Sequence, residues 1–301
     1  MTPIATADNT RLEQGSTTVD PGIAPIDPQA TSATPIRKAY DLFSLANQGV
    51  IVTGGARGLG LCIATSLLEA HASHVYCLDI LDAPLEAEWQ QALRTAKEMG
   101  GSISYRQLDI TDQAAVQRVI GEIYDGCQVE ITGFFGAAGI QQMIPALEYP
   151  VDQFRKMMDV NVTGTFLTIQ AVAQQMKRRG IAGSIVMTAS MSGSIANKGL
   201  TCLAYNTSKS ALLQMCRSAA AEWGQYGIRV NTLSPGYIRT AMTDGLLATR
   251  PDLEEEWLRG SMLDRLSTPD EYRGPVIFLL SKASSFTTGA DLIVDGGHTA
   301  F

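Results

Sequence analysis

The chain has 301 residues, 45% of them hydrophobic, enough for the core of one large α/β domain. Its 30 acids outnumber its 23 lysines and arginines, and the net charge of -7 leaves no basic stripe for nucleic acid and no polybasic face for a membrane surface. No stretch approaches the roughly 18 continuous apolar residues of a spanning helix, and His71, His74 and His298 lack metal-ligand spacing, so a soluble chain without a metal, acting on a small molecule, is expected.

Residues 1–39 are rich in Thr, Ala, Pro and Asp and lack hydrophobic periodicity, which predicts a disordered N-terminal extension before a single domain over 40–301. No basic segment leads into an apolar one, which argues against a secretory signal. Asp8, Glu13, Asp20 and Asp27 argue against a mitochondrial presequence. After Tyr40, short β-branched runs at 49–54, 74–79, 102–109, 130–136, 183–190, 228–234 and 291–295 read as strands, most of them separated by helical segments. That alternation predicts a doubly wound, seven-stranded parallel sheet in three layers with right-handed crossovers. His71 and His74, flanking the loop before the second strand, are expected to be solvated. Cys62, Cys77, Cys127, Cys202 and Cys216 are odd in number and lack CxxC spacing, as expected for reduced core residues of a cytoplasmic chain.

The first strand runs into "TGGARGLGLCIATSLLEA", where Gly54, Gly58 and Gly60 sit at a strand-to-helix turn. Backbone without Cβ lets the chain turn tightly, approach a pyrophosphate and aim a helix N-terminus at its charge. Asp79 closes the second strand, where a carboxylate accepts hydrogen bonds from ribose hydroxyls and repels a 2′-phosphate, so NAD is favoured over NADP. Arg57 pulls the other way, since a guanidinium pairs with that phosphate. Asp109 sits either beside the adenine or, like Thr111, as a cap for the next helix.

Later in the chain "TCLAYNTSKSALL" places Tyr205 and Lys209 four residues apart, on one helix face. A phenol is a weak acid near neutrality, and a neighbouring ammonium favours its ionised form. Ser190 ends the fifth strand, at the edge where open α/β sheets bind ligands. Ser192 is its rival.

The glycine loop, "LDITD", "NVTG", "GSIVMTAS", "YNTSK", "IRVNTLSPGYIRT" and "TGADLIVDGG" follow in order, and from about residue 45 the chain resembles the classical short-chain dehydrogenases/reductases, most closely the polyol and ketose dehydrogenases of the arabinitol, mannitol and sorbose type. The resemblance implies a Rossmann-type fold and a catalytic tetrad: Tyr205 as general acid/base, Lys209 stabilising the phenolate and binding the nicotinamide ribose, Ser190 polarising the substrate oxygen, and Asn161 holding a water near Lys209. It implies cofactor contacts from Gly54, Arg57, Gly58, Leu59, Gly60, Asp79, Asp109, Ile110, Ala138, Gly139, Tyr205, Lys209, Pro235, Gly236, Ile238 and Thr240. It also implies a substrate lid over 241–266, and a homodimer or homotetramer built on helices around 150–180 and 205–226. "GAAG" at Gly136–Gly139 replaces the family's NNAG, removing the asparagine bonds that tie the strands there. The expected activity is reversible oxidation of a secondary alcohol with NAD(H), on a polyol/ketose pair. The alternatives are an NADPH-dependent carbonyl reductase of secondary metabolism and a dinucleotide sensor or scaffold without turnover.

Overall fold

The computed structural model describes residues 38–240, 243, 247, 248 and 251–301, so most of the expected tail and part of the expected lid, Met242 and Leu246 included, lie outside the described residues. Strands β1 (Gly49–Thr53), β2 (His74–Asp79), β3 (Ser102–Gln107), β4 (Ile131–Gly136), β5 (Gly183–Thr188), β6 (Ile228–Pro235) and β7 (Asp291–Val294) form one sheet in the order β3-β2-β1-β4-β5-β6-β7. Every neighbouring pair is parallel. Buried on both faces, the inner strands are apolar runs rather than alternating ones, and all of β1 is buried.

Helices α1 (Gly58–Glu69), α2 (Glu86–Glu98), α3 (Gln113–Gly126), α4 (Val151–Met158), α5 (Thr165–Arg179), α6 (Leu203–Trp223), α7 (Pro251–Gly260) and α8 (Arg273–Leu280) follow the strands. Strand alternation sends Ile51 and Phe134 into one core with α3, α5 and α6, and Val50, Val52 and Phe135 into the other with α1, α2 and α8. The chain leaves β1 toward one side of the sheet and enters β4 on the other, so a crevice opens at their carboxyl ends.

Two expectations are corrected. His74 opens β2 as expected but is not solvated: it is half-buried, bonded to Ser102 Oγ at 2.7 Å and Ser104 Oγ at 2.8 Å, and stacked on Tyr76. Burial lowers its pKa. Of the five free cysteines, Cys77, Cys202 and Cys216 are core residues, but Cys62 and Cys127 are only half-buried.

Candidate active site

The crevice is lined by the β1–α1 turn. Gly54 adopts φ +70°, and a Cβ there would lie 2.7 Å from Ala138 N. A Cβ on Gly60 would collide with the Gly54 carbonyl oxygen, so this glycine lets α1 pack against the strand. Gly58 differs: its φ is +56° and a Cβ would meet nothing within 4 Å. Arg57 precedes α1 without a side-chain cap, and the first turn holds no acid. The first-turn N–H groups of Gly58, Leu59 and Gly60 thus present positive dipole ends beside open space, which fits the pyrophosphate of a dinucleotide.

Asp79 lies at the next strand's end. Its Oδ2 accepts from Ala56 N at 3.1 Å and its Oδ1 from Leu81 N at 3.3 Å, so the carboxylate is pinned at the rim of the glycine turn. The Arg57 side chain is exposed and has no partner among the described residues. Beyond β3, Asp109 is exposed; its Oδ1 accepts from Thr111 N at 2.9 Å and Thr111 Oγ1 at 2.7 Å. The expected capping role belongs to neither: Asp112 caps α3, accepting from Ala115 N at 3.0 Å. The buried Ile110 side chain packs on Gly164, where a Cβ would come within 2.7 Å of Ile110 Cγ1.

The polar cluster gathers on the β5 side. Tyr205 and Lys209 share the N-terminal half of α6, and the Lys209 ammonium lies 5.6 Å from the Tyr205 ring centroid. Lys209 is 6% exposed and donates to the Thr188 carbonyl at 2.7 Å. Ser190, just past β5, lies close enough to the Tyr205 hydroxyl to favour its ionised form, and its Oγ accepts from Ser192 N at 3.1 Å. Ser192 is buried in the same turn without that contact to Tyr205. Asn161 sits in a π-helical turn, Asp159–Gly164, rather than in a regular helix. Its side chain donates to Ile140 O at 2.9 Å and Ser208 Oγ at 3.0 Å, and accepts from Ile140 N at 2.8 Å. These bonds tie the strand-end loop to two helices, which is how the "GAAG" segment is held without its own asparagines. Asn161 Oδ1 and Lys209 Nζ approach the same point, 3.2 Å and 3.8 Å from a Cβ built on Gly139.

Electrostatics departs from the simplest expectation. Burial pushes the Tyr205 pKa up, and the neighbouring Ser190 hydroxyl offsets this only in part; Lys209 is not among the groups that lower it. Burial also depresses Lys209 from 10.5 to about 8. The protein's own groups therefore keep Tyr205 protonated. Between pH 8 and 10.5 the unfolded chain holds the Lys209 proton while the folded chain has released it, so the contribution of Lys209 to stability rises with pH over that window. The Tm difference between the protein and Lys209→Met should accordingly shift toward the unmodified protein over the same window. A flat difference would contradict it.

After β6, Gly236 donates to Val294 O at 3.0 Å, and a Cβ there would lie 2.7 Å from Asp295 Cα. Buried Pro235 ends the strand, Ile238 bridges to Ser267, and Thr240 Oγ1 bonds Thr243 Oγ1 at 2.9 Å. Tyr237 stacks on Trp257 of α7, which with Leu247 and Leu253 forms a small separate core, so this part of the expected lid is packed. A cavity of about 80 Å³ lies behind Tyr237, against Trp257 and His298. Trp257 Nε1 and His298 Nδ1 are buried without partners there, as is Thr188 Oγ1 beside the lysine. None of Thr188, Asn197, Ser208 and Tyr237 stands out in the sequence; only their contacts with Lys209, Asn161 and one another reveal them.

A family profile described as enoyl-(acyl carrier protein) reductase matches residues 54–299. A short-chain dehydrogenase/reductase, notP′, of Aspergillus versicolor is 44% identical over 89% of this chain and 92% of its own. The ribulose-forming D-arabinitol 2-dehydrogenase of Candida tropicalis is 35% identical over 85% and 94%, respectively. The crystal structure of an NADPH-dependent 3-quinuclidinone reductase from Rhodotorula rubra superposes with a TM-score of 0.80 at 31% identity, over 91% of this chain and 99% of that one. Fold, motif order and relatives agree: the chain belongs to the classical short-chain dehydrogenase/reductase family of oxidoreductases.

Proposed function

We propose that the protein oxidises a secondary alcohol of a polyol to the corresponding ketose, reversibly, with NAD as hydride acceptor. The observation that carries this reading is the convergence of Ser190, Tyr205 and Lys209 beside the glycine turn and the pinned carboxylate of Asp79. A bound nicotinamide dinucleotide supplies the site that takes the hydride and, when oxidised, a positive charge beside the phenol. The chain's residues do the rest. The α1 N-terminus holds the pyrophosphate, Asp79 accepts from the adenosine ribose, and Lys209 donates to the nicotinamide ribose. Asp109, Ile110, Ala138 and Gly139 border the adenine side, and Pro235, Gly236, Ile238 and Thr240 the nicotinamide side. Ser190 donates to the substrate oxygen, and Tyr205 takes the alcohol proton as the hydride leaves carbon. Asn161 holds a water that connects Lys209 to solvent.

The cofactor choice rests on Asp79. With both oxygens tied to backbone N–H groups the carboxylate does not swing aside, so a 2′-phosphate meets a fixed like charge. Relatives carry both habits: an L-xylulose reductase of Ambrosiozyma monospora is named NADH-dependent, and the quinuclidinone reductase NADPH-dependent. NAD should therefore raise Tm more than NADP at equal concentration. Asp79→Ser should shift relative affinity toward NADP by roughly tenfold or more. Greater stabilisation of the unmodified protein by NADP would overturn the assignment.

The polyol assignment draws on the arabinitol, xylulose and galactitol enzymes among the relatives. Reduction of a ketone with NADPH is the second reading, favoured by the likeness to the 3-quinuclidinone reductase, which is named NADPH-dependent. Steady-state turnover of pentitols and hexitols with NAD, against ketones with NADPH, separates the two. Exposed Val151, Phe166 and Leu203 on α4, α5 and α6 support assembly as a homodimer or homotetramer. Five free thiols support a cytoplasmic location.

A further inference from the structure

Tyr237 follows the Pro235–Gly236 turn at the carboxyl end of β6, next to the strand that delivers Ser190. Its ring is immobilised: it stacks on Trp257 with centroids 4.2 Å apart and planes 9° from parallel, and His298 meets it edge-on at 5.4 Å. Its hydroxyl is immobilised too, because buried Asn197 donates to it at 3.2 Å. Asn197 Oδ1 lies 3.6 Å from the sulfur of Cys202, three residues before Tyr205. A chain of contacts thus leads from the Tyr237 hydroxyl to the first turn of α6, where the reacting phenol sits.

A phenol hydroxyl is one donor and an acceptor. Asn197 occupies one of these capacities, and the other has no partner among the described residues. Burial pushes the Tyr237 pKa up to about 12, so the group is a neutral hydroxyl at any working pH. A rigid, half-satisfied phenol linked through Asn197 and Cys202 to the start of α6 complements a ligand hydroxyl and offers nothing to an alkyl chain. We infer that Tyr237 is a specificity-determining residue that hydrogen-bonds a second hydroxyl of the substrate and thereby selects polyhydroxylated chains over simple secondary alcohols.

This rests on the polyol reading, and the test keeps the two apart. The readout is the ratio of kcat/KM for a pentitol to kcat/KM for pentan-2-ol, both with NAD. Tyr237→Phe keeps the ring and its stack on Trp257, so Tm should stay close to that of the unmodified protein while the ratio falls roughly tenfold, the worth of one hydrogen bond. Asn197→Ala, which frees the hydroxyl from its tether, should lower the same ratio. If the unmodified protein prefers the pentitol and Tyr237→Phe leaves the ratio within twofold, the role of Tyr237 is wrong and the polyol reading stands. If the unmodified protein prefers pentan-2-ol, the polyol reading falls and takes this role with it.

Discussion

Replacing Tyr205 with phenylalanine should lower kcat roughly a thousandfold, the scale of a lost general acid/base, while NAD still raises the Tm of the variant. The ring and its packing survive this change; only the oxygen that exchanges a proton with the substrate is lost. Ser190 neighbours that oxygen, and the Lys209 ammonium lies 5.6 Å from the ring centroid. The charge balance sets the direction of the pH profile. Burial raises the phenol above its ordinary 10.0 and Lys209 does not offset it, so an ionised Tyr205 requires the added positive charge of an oxidised nicotinamide. Alcohol oxidation should therefore accelerate as pH rises, and ketone reduction, which draws a proton from the same group, should slow. A Tyr205→Phe variant retaining a tenth of kcat would exclude the phenol as the proton carrier.

Replacing Ser190 with alanine should cost about a hundredfold in kcat, and Ser192→Ala only a few-fold. Both serines are buried in the turn after β5, so burial does not separate them. Their neighbours do. Ser190 lies close enough to Tyr205 to act on its hydroxyl, while Ser192 contributes its backbone N–H to the Ser190 oxygen, orienting the side chain that acts. Removing the Ser192 hydroxyl leaves that N–H in place. The reverse order of effects, a large loss at Ser192 and a small one at Ser190, would move the substrate oxygen to the other side of the turn.

The strands and the glycine turn are legible from sequence because each rests on local chemistry. β-branched runs buried on two faces have few other solutions, and Gly54 and Gly60 sit where a Cβ collides with backbone. The pairing of Tyr205 with Lys209 is likewise a matter of helical period. What the sequence misplaces depends on tertiary partners. His74, expected to be solvated, is half-buried because Ser102 and Ser104 on the neighbouring strand satisfy its ring nitrogens. Asp112 rather than Asp109 caps α3, because Asp109 closes its own turn with Thr111. The bonds from Asn161 to Ile140 cross 21 residues, and the link from Asn197 to Tyr237 crosses 40, distances over which no local pattern operates. The pKa of Tyr205 is the clearest case: helical spacing points to a lowered value, and burial, which spacing does not report, raises it.

The most direct test of an NAD-linked polyol oxidation is transfer of label from a pentitol deuterated at its secondary carbinol carbons. With NAD and the unmodified protein, deuterium should appear on the reduced nicotinamide, turnover should slow relative to the unlabelled pentitol, and Tyr205→Phe should abolish the transfer. No label on NAD from any polyol, together with ready reduction of a ketone by NADPH, would contradict both the substrate and the cofactor assigned to this site.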